Sequence, residues 1–114
     1  MAKVPKNIEN AINEFVSGIN SILKNRVKKI ILYGSYARGD YRKNSDLDIM
    51  VLTDLSEEEI TDMRTELWDY SYDIGLDNDI VISALLKNID DFNYWLDTLP
   101  FYMNVQKEGV VLNG

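Results

Sequence analysis

Neither cysteine nor histidine occurs in this chain. Without cysteine there is no disulfide, no zinc–thiolate site and no thiolate nucleophile, an absence that fits a reducing compartment. Without histidine there is no serine–histidine triad, no His-ligated zinc and no imidazole acid–base catalysis, which leaves carboxylates, lysine, tyrosine or a metal ion for any chemistry. Long apolar runs are missing too. No stretch approaches the roughly 20 residues needed to span a bilayer, and Met1 to Asn10 holds no hydrophobic leader segment, so the expectation is a cytoplasmic protein with no membrane role. Basic charge is scarce: 12 Lys and Arg stand against 19 Asp and Glu, a formal net charge of -7. Phosphate backbones are gripped by neutralising cations, so this balance argues against direct nucleic-acid binding, and a polyanionic substrate needs cations brought in. The acidity serves either solubility or attraction to a basic partner.

With 114 residues, 46% of them hydrophobic, the expectation is a single domain over 1–114. There is no room for a separate substrate domain, so a large acceptor site must be shared with a partner. Apolar surface left over after the core is filled would serve a homo-oligomer or a heteromeric partner equally well.

Ile8, Ala11, Ile12, Phe15, Val16, Ile19, Ile22 and Leu23 recur at the spacing of one helix face, with Asn7 as the expected cap. Val27 to Tyr33 reads as a buried strand ended by Gly34, and Gly34 to Ser45 as a loop with one helical turn. Asp46 to Thr53 reads as a second strand. Ser56 with Glu59 forms a capping box for a helix over about 57–72, and Glu57-Glu58-Glu59 fits the helix dipole better than a metal site. A third strand is expected at Ile80-Val81-Ile82, entered through the Asp- and Gly-rich segment 73–79. Ile89, Phe92, Leu96 and Leu99 mark a helix stopped by Pro100. Phe101 to Lys107 is expected to be helical and closed by Gly109, with Val110-Val111-Leu112 as a last strand or extended tail. The order α-β-β-α-β-α implies a mixed α/β fold, a small sheet flanked by helices.

The chemistry-bearing residues concentrate between Gly34 and Asp48. Among 12 Asp residues chance alone gives roughly one Asp-x-Asp pair, and the chain has two, Asp46/Asp48 and Asp77/Asp79, so the pair by itself decides little. Its setting adds weight. Side chains two apart on a strand share a face about 6.6 to 6.8 Å apart, close enough for Asp46 and Asp48 to converge on one ion. Mg2+ takes oxygen ligands, commonly one or two carboxylates completed by water and substrate phosphates. Gly34 lets backbone approach a phosphate closely, Ser35 can hydrogen-bond its oxygens, and Arg38, Arg42 and Lys43 place positive charge in the same loop. Arg38 either meets phosphate or supports the loop. Tyr36 and Tyr41 either stack on a base or pack beside the strand end, while Trp68, Phe92 and Trp95 pack or form an interface.

Gly34-Ser35-Tyr36-Ala37-Arg38-Gly39-Asp40 followed by Ser45-Asp46-Leu47-Asp48-Ile49 resembles the DNA polymerase beta nucleotidyltransferase superfamily, and within it the minimal nucleotidyltransferase (MNT) proteins. The Gly-Ser pair, ten intervening residues and Asp-x-Asp match that signature without insertion. The closing stretch Leu99-Pro100-Phe101-Tyr102 through Lys107-Glu108-Gly109-Val110 is similar to the end of stand-alone MNT proteins. The resemblance implies a nucleotidyltransferase fold and transfer of a nucleoside monophosphate, AMP from ATP, to a hydroxyl. It further implies two Mg2+ ions bridged by Asp46 and Asp48, with a third carboxylate, Asp79, on the ion that activates the acceptor, and Ser35 on the leaving pyrophosphate. Asp77 remains the alternative to Asp79, with turn formation beside Gly75 as its other reading.

Many MNT proteins are antitoxins that adenylylate a tyrosine of a HEPN toxin, so the resemblance implies such a partner. Two other readings stand beside it: transfer to a small hydroxyl compound, as in aminoglycoside nucleotidyltransferases, and a non-catalytic subunit that only covers its partner. A templated polymerase lacks the length and the charge for a nucleic-acid grip.

Overall fold

The computed structural model describes residues 4–113, so Met1 to Lys3, part of the stretch read above for a leader, and Gly114 lie outside it. Helix α1, Lys6–Leu23, buries Ile8, Ala11, Ile12, Phe15, Ile19 and Leu23, the row its three- and four-residue spacing marks. Asn7 is not its cap. Pro5 occupies that position, its carbonyl receiving Ile8 N–H and Glu9 N–H, and the Asn7 side chain instead donates to the Asn78 carbonyl at 2.8 Å.

A turn of 3-10 helix, Lys24–Arg26, leads into β1, Val27–Tyr33, and β2, Leu47–Thr53, pairs with it antiparallel so that Tyr33 faces Asp48. Between them Ser35–Arg38 makes the single helical turn α2. Helix α3, Glu57–Asn78, starts on the Ser56/Glu59 capping box and runs six residues past the expected end. The reason is tertiary. Leu67, Ser71, Ile74, Gly75 and Asn78 continue one buried row, and a Cβ at Gly75 would collide with the Ile80 carbonyl where the chain doubles back. Gly75 is thus a close-approach residue inside the helix and not a turn former. The helix closes where Asp79 adopts the left-handed conformation, φ 55°.

Strand β3 is Ile82–Asn88, so the expected strand at 80–82 lies mostly before it. It pairs parallel with β2, Leu47 opposite Ile82 and Asp48 opposite Ser83. Helix α4, Ile89–Trp95, is capped by the Asn88 side chain and ends before Leu96; Pro100 opens helix α5, Pro100–Glu108. Strand β4, Val110–Val111, returns antiparallel to β1. The sheet order is β3-β2-β1-β4.

Period-2 alternation on the two central strands sorts their residues onto two layers. Ile30, Leu32, Leu47, Ile49 and Val51 pack with α1 and α3, whereas Ile31, Tyr33, Met50 and Leu52 pack with Phe92 of α4 and Val105 of α5. Burying each such side chain contributes about 1.5–3 kcal/mol. Asp48 sits between Leu47 and Ile49 and therefore turns toward the α5 layer. No helix among the described residues is long and apolar enough to cross a membrane.

Candidate active site

The site starts at the end of β1. Gly34 has φ 76°, and a Cβ there would collide with the Asp48 carboxylate oxygen Oδ2. Only glycine meets both demands, a backbone region closed to other residues and an acid lying directly over it. Gly34 is buried, and its N–H donates to Glu108 Oε1 at 3.1 Å. Its carbonyl receives Ala37 N–H and Arg38 N–H, which winds Ser35–Arg38 into α2. Arg38 is held from two sides, donating to Glu108 at 3.1 Å and to Asp40 at 3.2 Å. Arg38 therefore supports the loop, as one of its two readings expects, and it lines the cleft beside the acids.

Gly34, Ser35, Arg38, Asp46 and Asp48 share one cleft of about 530 Å³, whose other walls include Tyr33, Phe101, Asn104 and Glu108. Burial, the charge of Asp46 and that of Glu108 push the Asp48 carboxyl above its ordinary range, and Arg38 offsets this only in part. Burial and Asp48 likewise push the Tyr33 phenol up to about 12. The pair Asp46/Asp48 has no ion-pair partner among the described residues. Its fit to a divalent cation is good, because Asp46 is exposed, Asp48 half-buried, and Mg2+ accepts one or two carboxylates with substrate phosphates completing its shell.

The remaining expected site residues lie elsewhere. Arg42 is exposed and lines neither this cleft nor its neighbour; its backbone N–H donates to Ser45 Oγ at 2.8 Å. Lys43 and Asp79 line a second cleft of about 530 Å³, bounded by Trp68, Tyr72, Leu76 and Val81, which shares Asn44, Ser45 and Asp46 with the first. Asp79 caps α3 instead of entering a strand, and Asp77 is an exposed residue of that helix. Among the described residues no group of three acids is placed to hold a metal, and the β3 residue opposite Asp48 is Ser83. Tyr36 and Tyr41 stack on each other at 4.4 Å, with Tyr36 buried, so packing is their role.

Glu108 escaped sequence reading as a site residue. It comes from the far end of the chain, 74 residues from Gly34, and nothing local marks it. The signal available was its place just ahead of Gly109 and the short Val110-Val111 strand. The pairing of that strand with β1, Val110 opposite Leu32, brings Glu108 back to the Gly34 turn.

The glycine turn closes on Asp48 of β2 and, one residue before that strand, Asp46, and the chain belongs to the nucleotidyltransferase domain family, whose model matches residues 12–110. Among its relatives is a Methanocaldococcus jannaschii protein named as a candidate protein adenylyltransferase, 41% identical over 106 residues that span 93% of this chain and 98% of the relative. The fold is that of a candidate nucleotidyltransferase from Sulfolobus solfataricus, with TM-score 0.55 and 21% identity over 97% of this chain and 89% of that one. It is also that of a chain in the complex of tri-AMPylated HEPN toxin with MNT antitoxin from Shewanella oneidensis, with TM-score 0.53 and 17% identity over 93% of this chain and 71% of that one. At these identities the two structures speak to the fold alone.

Proposed function

We infer that this protein transfers AMP from ATP to a tyrosine hydroxyl of a HEPN toxin partner and so acts as its antitoxin. The observation that carries the transfer reading is the collision a side chain at Gly34 would make with Asp48. It means that the phosphate-approach turn and the acid pair form one unit. Asp46 and Asp48 would hold Mg2+, two ions by family resemblance, and the bound ions would neutralise charge developing on the α-phosphate and the leaving pyrophosphate. Ser35 and Arg38 then face the phosphates of the triphosphate. The relative named for protein adenylylation supports a protein acceptor, and the Shewanella complex, which holds an AMPylated HEPN toxin, supports its kind. Asp79 stands on the side of Asp46 away from Gly34, where an acceptor would arrive.

The test is incubation with Mg2+, ATP labelled at the α-phosphate and the product of the neighbouring gene. Label on a partner tyrosine is expected, with a loss of about 10³-fold in folded Asp46→Asn or Asp48→Asn variants. Label appearing on a small hydroxyl compound such as an aminoglycoside sinks the protein-acceptor reading. Neutralisation of the toxin that survives both substitutions sinks the enzymatic one.

A further inference from the structure

Helix α3 carries two parallel rows at four-residue spacing. One is Trp68, Tyr72 and Leu76, which with Val81 line the second cleft and are 59%, 66%, 64% and 64% exposed. The other, one position on, is Asp69, Asp73 and Asp77. Both rows are unfavourable in the free protein. Large apolar side chains so placed leave a contiguous patch in water, and like charges four apart on a helix repel. None of the three acids has an ion-pair partner among the described residues. The whole helix holds eight acidic residues against Arg64 alone.

The place of these rows is as informative as their chemistry. In the sheet order β3-β2-β1-β4, Gly34 ends β1, the acids stand at the head of β2, and Val81 leads into β3. The glycine turn and the apolar cleft therefore flank the acids from opposite sides and meet at Asn44, Ser45 and Asp46. In an in-line displacement the attacking oxygen enters opposite the leaving group. With the phosphates on the Gly34 side, the acceptor enters from the side of Trp68, Tyr72 and Val81.

We propose that the apolar row and the acidic row of α3, together with Val81, dock the acceptor polypeptide through a segment of basic and apolar residues that delivers its tyrosine to Asp46; this assignment presupposes AMP transfer at that site. The tyrosine oxygen bonds to the α-phosphorus, the bond from that phosphorus to the bridging oxygen breaks, pyrophosphate leaves with the electron pair, and the phenolic proton passes to water. Apolar side chains fill the cleft while Lys or Arg lies against Asp69 and Asp73, an electrostatic match that selects basic partners and speeds their encounter.

Synthetic copolymers serve as probes: lysine–tyrosine, glutamate–tyrosine, and polylysine of equal length. Binding is measured by calorimetry without ATP, and transfer with Mg2+ and labelled ATP. The lysine–tyrosine polymer should bind and be labelled in preference to the other two. The doubly substituted Trp68→Ala, Tyr72→Ala protein should weaken that binding about tenfold and raise the acceptor KM alike, because aromatic anchors dominate interfaces. Asp69→Asn with Asp73→Asn should weaken it about threefold, less at high salt. The KM for ATP should not move in either variant; all four residues are exposed, so folding is spared. Equal binding of polylysine, equal use of the glutamate polymer, or unchanged acceptor binding in the aromatic variant overturns the docking assignment. A rise in the ATP KM overturns it in favour of a nucleobase site. Wild-type protein that binds no Mg–ATP instead defeats the nucleotidyltransferase reading beneath it, and polymer binding separates the two failures.

Discussion

Two clefts of about 530 Å³ meet at Asp46, and they differ in how their polar groups are satisfied. In the Gly34 cleft the neighbours hold one another: Glu108 receives both Gly34 N–H and Arg38, and Arg38 also reaches Asp40. Beside the α3 cleft, Trp68 and Tyr72 are exposed, and Asp69, Asp73 and Asp77 have no ion-pair partner among the described residues. The first arrangement keeps its geometry in the free protein, as a reaction centre requires, because groups positioned before the substrate arrives need little reorganisation afterwards. In the docking proposed above, the second is completed from outside. On the proposed reading, the contrast assigns chemistry and recognition to opposite sides of a single acidic residue, and it can be broken at several points.

The largest break should come at Gly34→Ala. Strain at its positive φ costs about 1–3 kcal/mol, and the collision with Asp48 adds to it. Even where the protein folds, displacement of the carboxylate should lower AMP transfer about 10²-fold. Gly39 supplies the control. Its φ is 88°, yet nothing lies within 4 Å of an added Cβ, so Gly39→Ala should carry the strain without the activity loss. Thermal unfolding with transfer rates on both variants reads the difference; equal activity would show that Gly34 and Asp48 do not act as one unit.

The next effect concerns Glu108. Gly34 is buried, so Glu108→Ala leaves its N–H without an acceptor at a cost of about 1–3 kcal/mol, measurable by chemical denaturation. Glu108→Gln keeps an oxygen in place and should lose much less. If the two variants are equally stable, the contact with Gly34 does not hold the cleft together.

That the sequence exposes one half of this arrangement and hides the other has a physical cause. The Gly34 turn, both central strands and the Ser56/Glu59 cap are written in neighbouring residues, since strand alternation, capping and turn chemistry act over a few positions. The end of α3 is not local. Asp73 to Asn78 has turn composition, but Ile74 and Asn78 stay on the buried row, Gly75 admits the Ile80 carbonyl, and Asn7 of a distant helix satisfies the Asn78 carbonyl. Those contacts keep Asp79 on a helix cap and shift β3 two residues later, which puts Ser83 opposite Asp48. Glu108 is hidden for the same reason, since its partners lie at the other end of the chain.

A smaller and more specific effect follows from the raised Asp48 carboxyl. Its folded-state pKa exceeds the ordinary 3.8, so the native state binds the proton more tightly than the unfolded chain does. Stability therefore falls as pH rises from about 3.8 through the raised value, because Asp48 must ionise, half-buried, beside Asp46. Above that window Asp48→Asn should unfold at a higher temperature than the wild type in metal-free buffer, and below it the two should converge. Adding Mg2+ should close the gap at neutral pH by stabilising the wild type alone. A wild type that equals the variant at neutral pH without metal would mean that the acid pair carries no unbalanced charge.

The smallest effect is expected at Arg42, and it sharpens the comparison by its size. On sequence alone Arg42 belongs with Arg38 as a phosphate contact, four positions further along the same basic loop. The folded loop separates them. Arg38 lines the acid cleft on the arm of Glu108, whereas Arg42 is exposed, borders neither cleft and meets Ser45 through its backbone N–H and carbonyl. A solvated guanidinium outside the cleft acts on the triphosphate through screened charge alone, and salt near physiological strength damps that within about 8 Å. Arg42→Ala should therefore change the ATP KM by less than about twofold, with the residual effect vanishing as salt is raised, while Arg38→Ala weakens ATP about tenfold by removing both a cleft charge and the bracket on Glu108. Titration of both variants with ATP at two salt concentrations decides it, and equal losses would mean that the loop swings Arg42 inward when nucleotide binds.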